Sequence, residues 1–199
     1  MKKILASFII MCFIAPNAFS QTGNYIRPMA VGVSFTFNDF TTAERIRTTS
    51  LNNVIANKQK AKLSEMTPGL ALTYFKGLRN HIDFAGTLAA TFVDIPLEGR
   101  TGSSELMLLE ADASLNLKLL SDRYVFTPYV SIGAGASKYG DQYAAFIPTG
   151  LGIKFNFFNE ASFFINSQYR IPVTTETYNH HFFHSVGISG TIGKNRNNQ

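Results

Sequence analysis

The stretch ELMLLEADASLNLKL, from Glu105 to Leu119, decides the fold. From Leu109 onward its odd positions are apolar (Leu109, Ala111, Ala113, Leu115, Leu117, Leu119) and its even positions polar (Glu110, Asp112, Ser114, Asn116, Lys118). A period of two belongs to a strand, whose side chains alternate between faces; a helix would scatter Glu110, Asp112 and Lys118 around its axis. Soluble strands run about five or six residues, whereas a transmembrane β-strand needs about 9 to 11. The alternation here holds for 11 positions. It predicts a strand with one face on hydrocarbon and the other on a polar interior.

The same pattern recurs on both sides of it. Strands are expected at about 28–38, 67–76, 81–94, 125–137, 143–157, 161–171 and 180–193, making eight with the first. Outward sets such as Val31, Val33 and Phe35, or Ile147, Leu151 and Ile153, oppose inward sets such as Gly32, Ser34 and Thr36, or Gly150, Gly152 and Lys154. Aromatic residues near strand ends, among them Tyr74, Phe75, Phe92, Tyr129, Tyr143, Phe157 and Phe182, read as interfacial girdles. Inward Gly133, Gly135, Gly150, Gly152 and Gly187 read as room for long polar side chains. The connections alternate too. Residues 39–66 and 95–104 are long and 172–179 medium, whereas 77–80, 120–124 and 158–160 are short, as is 139–142. Barrels of this kind have short turns on the periplasmic side and longer loops outside. Residues 39–66 have no period-two order, and Leu51, Val54 and Ile55 support a short helical turn at best.

The first 20 residues carry Lys2 and Lys3, an apolar run from Ile4 to Ala15 and the small-residue ending Ala18-Phe19-Ser20, the pattern of a secretory signal peptide. The expected organisation is a signal peptide at 1–20, a lead at 21–27, the barrel at 28–193 and a polar tail at 194–199. Its one cysteine, Cys12, lies in the signal, so no disulfide framework and no thiol chemistry is expected after cleavage. Removing Lys2 and Lys3 lowers the basic count from 18 to 16 against 13 acids, a net charge of +3 rather than +5. Such a charge argues for no nucleic-acid partner.

The segment Pro148-Thr149-Gly150-Leu151-Gly152-Ile153-Lys154-Phe155-Asn156-Phe157-Phe158, with Ala161-Ser162-Phe163-Phe164-Ile165-Asn166-Ser167-Gln168-Tyr169-Arg170 after it, resembles the late hairpin of small outer-membrane β-barrel domains, the porin-family or outer-membrane-protein-A-like group. The resemblance implies an all-β fold, an eight-stranded antiparallel up-and-down transmembrane β-barrel in a Gram-negative outer membrane with its termini in the periplasm. It implies outer-membrane lipids and lipopolysaccharide, the barrel-assembly machinery and an envelope protein complex as partners. Many relatives continue into a peptidoglycan-binding domain, and the last residue here is Gln199, so a cell-wall tether is not carried over. The last strand also ends in Ile192-Gly193-Lys194 rather than an aromatic residue.

An eight-stranded barrel has an interior just wide enough for side chains to fill it. The inward list holds three acids, Asp83, Glu110 and Asp112, and three bases, Lys118, Lys154 and Arg170. Unpaired charges in a narrow lumen are costly, so an ion-pair network is expected, with Glu110 and Lys118 as one trial pair. In the first loop Arg45, Arg47, Lys58, Lys60 and Lys62 form a basic surface for outer-leaflet anions or a partner protein. Residues 180–184, HHFFH, place His180 and His184 on one face and His181 on the other, poor geometry for a metal. No cofactor, metal or catalytic residue is expected. A lipid-modifying enzyme would need His181 or His184 to meet Ser185 or Ser167 and an acid at one rim; a soluble ligand-binding barrel would need an apolar lumen.

Overall fold

A computed structural model describes residues 26–93, 106–157, 160–174 and 180–192. The expected signal peptide, most of the lead, the 95–104 loop, the 175–179 segment and the tail lie outside the described residues.

Eight antiparallel strands close into a barrel in sequence order: β1 Ala30–Asp39, β2 Thr67–Arg79, β3 Ile82–Val93, β4 Leu106–Lys118, β5 Phe126–Tyr139, β6 Gln142–Phe157, β7 Ala161–Pro172 and β8 His181–Thr191. Closure is made by β1 on β8, from Ala30 opposite Thr191 to Asp39 opposite Phe182. The expected strands differ from these by a few residues at their ends. Closure leaves no unpaired edge, which is the requirement for a sheet in hydrocarbon, where no water can satisfy a free N–H or C=O. Along β4 the phase is as the alternation demands: Glu110, Asp112, Ser114, Asn116 and Lys118 are buried inside, and Leu109, Leu115 and Leu117 are exposed outside. The wall is apolar elsewhere as well, with Val33, Phe35, Leu88, Leu151 and Ile188 each at least 60 % exposed. That surface suits a membrane and not water.

The β2–β3 and β4–β5 turns and both described ends of the chain lie at one end of the barrel, called the terminal end below. The β1–β2 connection and the β5–β6 turn lie at the other, the cap end. The β5–β6 hairpin turns through Gly140 and Asp141, with Gly140 in the left-handed region at φ 59°.

Two readings from sequence need correction. Residues 39–66 are not a plain loop with one helical turn. They form helix α1 (Phe40–Thr48), helix α2 (Leu51–Ala56) and a 3-10 turn at Leu63–Glu65. Asp39 caps α1 by accepting from the Thr42 N–H at 2.8 Å, and Ser50 caps α2 by accepting from the Asn53 N–H at 3.2 Å. The buried Ala43 and Val54 supply the small core that holds the two helices. Thr42 Oγ1 then accepts from the Ala61 N–H at 2.8 Å, tying the return segment to α1. The second correction concerns aromatic and glycine residues: Phe75 and Tyr129 point into the lumen rather than to an interfacial girdle, as do Phe146, Phe164 and Phe183. Inward glycines accommodate these rings. A Cβ on Gly152 would lie 2.2 Å from the Tyr129 ring and one on Gly135 2.5 Å from Phe146.

Helix α2 ends in a Schellman motif, with Gln59 N–H donating to Val54 C=O at 2.9 Å and Lys58 N–H to Ile55 C=O at 3.3 Å. Its left-handed residue is Lys58, at φ 53°, where glycine is the usual occupant. A Cβ in that conformation costs about 1 kcal/mol. Lys58→Gly is therefore expected to slow amide hydrogen exchange across residues 51–59; faster exchange would contradict the strain.

Candidate functional site

The inward polar side chains separate into two clusters, one near each end. At the terminal end the Lys118 ammonium donates to Asp83 at 2.6 Å and to Asp122 at 2.5 Å. Lys154 Nζ reaches the other Asp83 oxygen at 3.1 Å and lies 3.9 Å from Asp122. Asp83 thus bridges two lysines, one from β4 beside it and one from β6 across the lumen. Arg27 enters the same mouth from the segment before β1, donating to Ser162 Oγ at 2.7 Å and Ser189 Oγ at 3.2 Å. Rings bed the cations: Lys154 Nζ lies 5.1 Å from the Phe75 centroid and 5.9 Å from that of Tyr129.

Nearer the cap end Arg170 of β7 pairs across the lumen with Glu110 of β4, and its Nη2 reaches Asp112 at 3.2 Å. The guanidinium sits 3.7 Å from the Phe183 centroid and 4.9 Å from that of Phe146. His181 Nε2 lies 3.4 Å from the second Glu110 oxygen. The ring of His181 is covered by Phe40, stacked at 4.7 Å between centroids. Because Phe40 is the first residue of α1, this stack joins the helical cap to the lumen cluster.

All six lumen residues named from sequence lie in these clusters, but the trial pair does not form. Glu110 belongs to the cap-end cluster and Lys118 to the terminal-end one, eight residues apart along the same strand. At about 3.3 Å per residue that separation is far beyond ion-pair reach. Three members escaped the sequence reading. Asp122 sits in a turn, Arg27 precedes the first strand, and His181 was weighed as a metal or catalytic group rather than as the partner of Glu110. The signal that could have found Asp122 is its place four residues after Lys118.

The five basic loop residues sit on the cap. Arg47, Lys58, Lys60 and Lys62 are exposed, and Arg45 is half-buried with its Nη1 donating to Gln59 C=O at 3.0 Å. Among the described residues no carboxylate lies within ion-pair distance of Lys58, Lys60 or Lys62. On the outer wall Ser167 of β7 stands opposite His184 of β8, but no hydrogen bond joins them. The nearby carboxylate of Asp39 is engaged with the α1 N-terminus. His181 and His184 lie on opposite faces of β8.

Burial opposes ionisation of Asp122, yet the ammoniums of Lys154 and Lys118 and the guanidinium of Arg27 hold its carboxyl below the ordinary value of 3.8. A carboxyl more acidic when folded stabilises the barrel above that value and loses its contribution as pH falls through the folded value. Asp122→Asn should make urea unfolding in detergent shallower in its dependence below about pH 4 and cost about 3 to 5 kcal/mol at neutral pH; an unchanged acid limb would remove Asp122 from the network. Arg170→Met strands two carboxylates, so it should destabilise more than Arg170→Met combined with Glu110→Gln. Equal losses would argue against pairing.

No family model matches the chain, and no curated protein matches it. Among solved structures it is similar to Neisserial surface protein A, at 10% identity and a TM-score of 0.50, covering 85% of this chain and 99% of that one. It is also similar to the outer membrane protein OprG from Pseudomonas aeruginosa, at 11% identity and a TM-score of 0.56, covering 83% of this chain and 96% of that one. In fold, the chain is an eight-stranded antiparallel β-barrel similar to those of these two proteins.

Proposed function

We propose that the protein is a non-conducting outer-membrane barrel, not an enzyme, that presents its β1–β2 cap as a binding surface outside the cell, with both termini toward the periplasm. The observation that carries this reading is the pairing of β3 with β6 and of β4 with β7 across the lumen, by Asp83 and Lys154 and by Glu110 and Arg170. A conducting pore would need these groups apart and hydrated, whereas here they are buried against one another and against aromatic rings. The role that remains is structural or one of interaction. It rests on the surface formed by Arg45, Arg47, Lys58, Lys60 and Lys62. Outer-membrane lipids and lipopolysaccharide are the anions such a surface would meet first, the barrel-assembly machinery is the partner its insertion needs, and an envelope protein complex is a further candidate. The polar lumen disfavours a soluble carrier of apolar ligands. The missing Ser167–His184 hydrogen bond gives a lipid-modifying enzyme no support.

Cell fractionation should place the protein in the outer membrane, with a mobility that shifts on boiling. In planar bilayers the purified barrel should show no stable single-channel conductance. A steady conductance would overturn the plugged reading, and a soluble periplasmic protein with no mobility shift would overturn the membrane one.

A further inference from the structure

Among the described ladders, only β2–β3 shifts register: Gly77 stands opposite Asp83 and Arg79 opposite Ile82, so Leu78 is an extra residue in β2. The others each keep a single register. A bulge re-aims the side chain beside it and is common next to functional sites. Here that side chain is Arg79, at the edge of the tight turn between β2 and β3. The segment before β1 closes on the same turn. A Cβ on Gly77 would lie 2.6 Å from the Arg27 carbonyl oxygen and 2.7 Å from its nitrogen, so the glycine lets that segment lie against β2. The turn and the segment together enclose a pocket of about 420 Å³ lined by Ile26, Arg79, Asn80, His81 and Ile82. Its volume falls within the range of about 300–1,000 Å³ usual for small-molecule sites.

The polar groups of this pocket are of two kinds. Arg79 is exposed, and among the described residues no carboxylate lies within ion-pair distance of it. Its guanidinium is a planar fork that matches the two oxygens of a carboxylate. The other groups are acceptors. His81 Nδ1 lies 3.2 Å from the Lys118 carbonyl oxygen, which can only accept. Nδ1 is therefore the donor, and in the neutral ring Nε2 is left as an acceptor. Asn80 Oδ1 is buried without a hydrogen-bond partner. A bare anion would satisfy the guanidinium and leave both acceptors unmatched. We infer that the pocket binds an α-carboxylate with an N–H beside it, as at the C-terminus of a peptide or in a free amino acid. The carboxylate meets Arg79, the N–H meets His81 Nε2 or Asn80 Oδ1, and Ile26 and Ile82 take the aliphatic part. The site lies at the terminal end, opposite the cap, and does not rest on what the cap binds.

The test is an NMR titration of the isotope-labelled full barrel in detergent micelles with alanine, N-acetylalanine, propionate or inorganic phosphate, read at the side-chain N–H signals of Arg79, Asn80 and His81. Retention of the boiling-dependent mobility shift checks that each variant is folded. In the wild type these signals should shift saturably with alanine or N-acetylalanine, and the tighter of the two identifies a free amino acid or a peptide end as the source. Propionate keeps the carboxylate and lacks the N–H, so it should bind about fivefold more weakly, the factor for one neutral hydrogen bond. Arg79→Gln should weaken every probe by about tenfold, the lower figure for a hydrogen bond to a charged group. Asn80→Ala combined with His81→Phe should erase the preference for the N–H probes over propionate. Propionate or phosphate binding the wild type as tightly as the N–H probes would reduce the pocket to a non-selective anion contact and overturn the site. Arg79→Gln binding like the wild type would overturn it as well. A wild-type barrel that shows no saturable shift with any probe would sink this inference while leaving the functional reading standing, since the cap lies at the opposite end.

Discussion

The hydrogen-bonded closure of β1 on β8 is the constraint from which the rest follows. A chain in hydrocarbon must satisfy every backbone donor and acceptor from within, and a ring of eight strands does so at the cost of a lumen too narrow for bulk water. Whatever charge the inward face carries must then find its counter-charge inside. Asp83 answers by bridging Lys118 and Lys154, and Glu110 with Asp112 by sharing Arg170. The inward rings complete the solution. Phe183 and Phe146 flank the guanidinium and Phe75 lies under Lys154, so the cations are bedded on π-faces where water has been excluded.

Much of this was legible in the chain because a membrane strand writes a long signal. Eleven residues of strict alternation in β4 give the fold class, and the phase that exposes Leu115 also buries Glu110 and Lys118. Adjacent aromatics are told apart by their neighbours' phase: Phe163 and Phe182 share the outward phase of Ile165 and Val186, so Phe164 and Phe183 fill the lumen, Phe164 against Phe75 at 5.3 Å. A ring on the inward phase is harder to credit, and Phe75 and Tyr129, in phase with Thr73 and Ser131, read as girdle residues because their chemistry suits an interface. The inward glycines read as space for charged side chains, since a glycine announces room without naming its occupant.

The clusters were legible in membership and not in pairing. Alternation assigns a face, but it carries no information about height matched across the lumen, so Glu110 could not be told from Asp83 as the partner of Lys118. Residues outside the strands were harder still. Arg27 and Asp122 reach the terminal-end cluster from a lead and a turn, segments without a period. The helices of the cap share that difficulty: α1 is set by the Asp39 cap and by packing around Ala43 and Val54 rather than by an apolar stripe.

The ion pairs join strands that are far apart around the wall, β3 to β6 and β4 to β7, with His181 of β8 facing Glu110 of β4 almost diametrically. A hydrogen-bonded ring fixes its circumference but leaves its outline free to flatten, as a hoop does. These contacts act as spokes. They set the diameter at two heights, so the cylinder resists becoming oval under lateral pressure from the bilayer, and the wall keeps one shape toward the lipids around it.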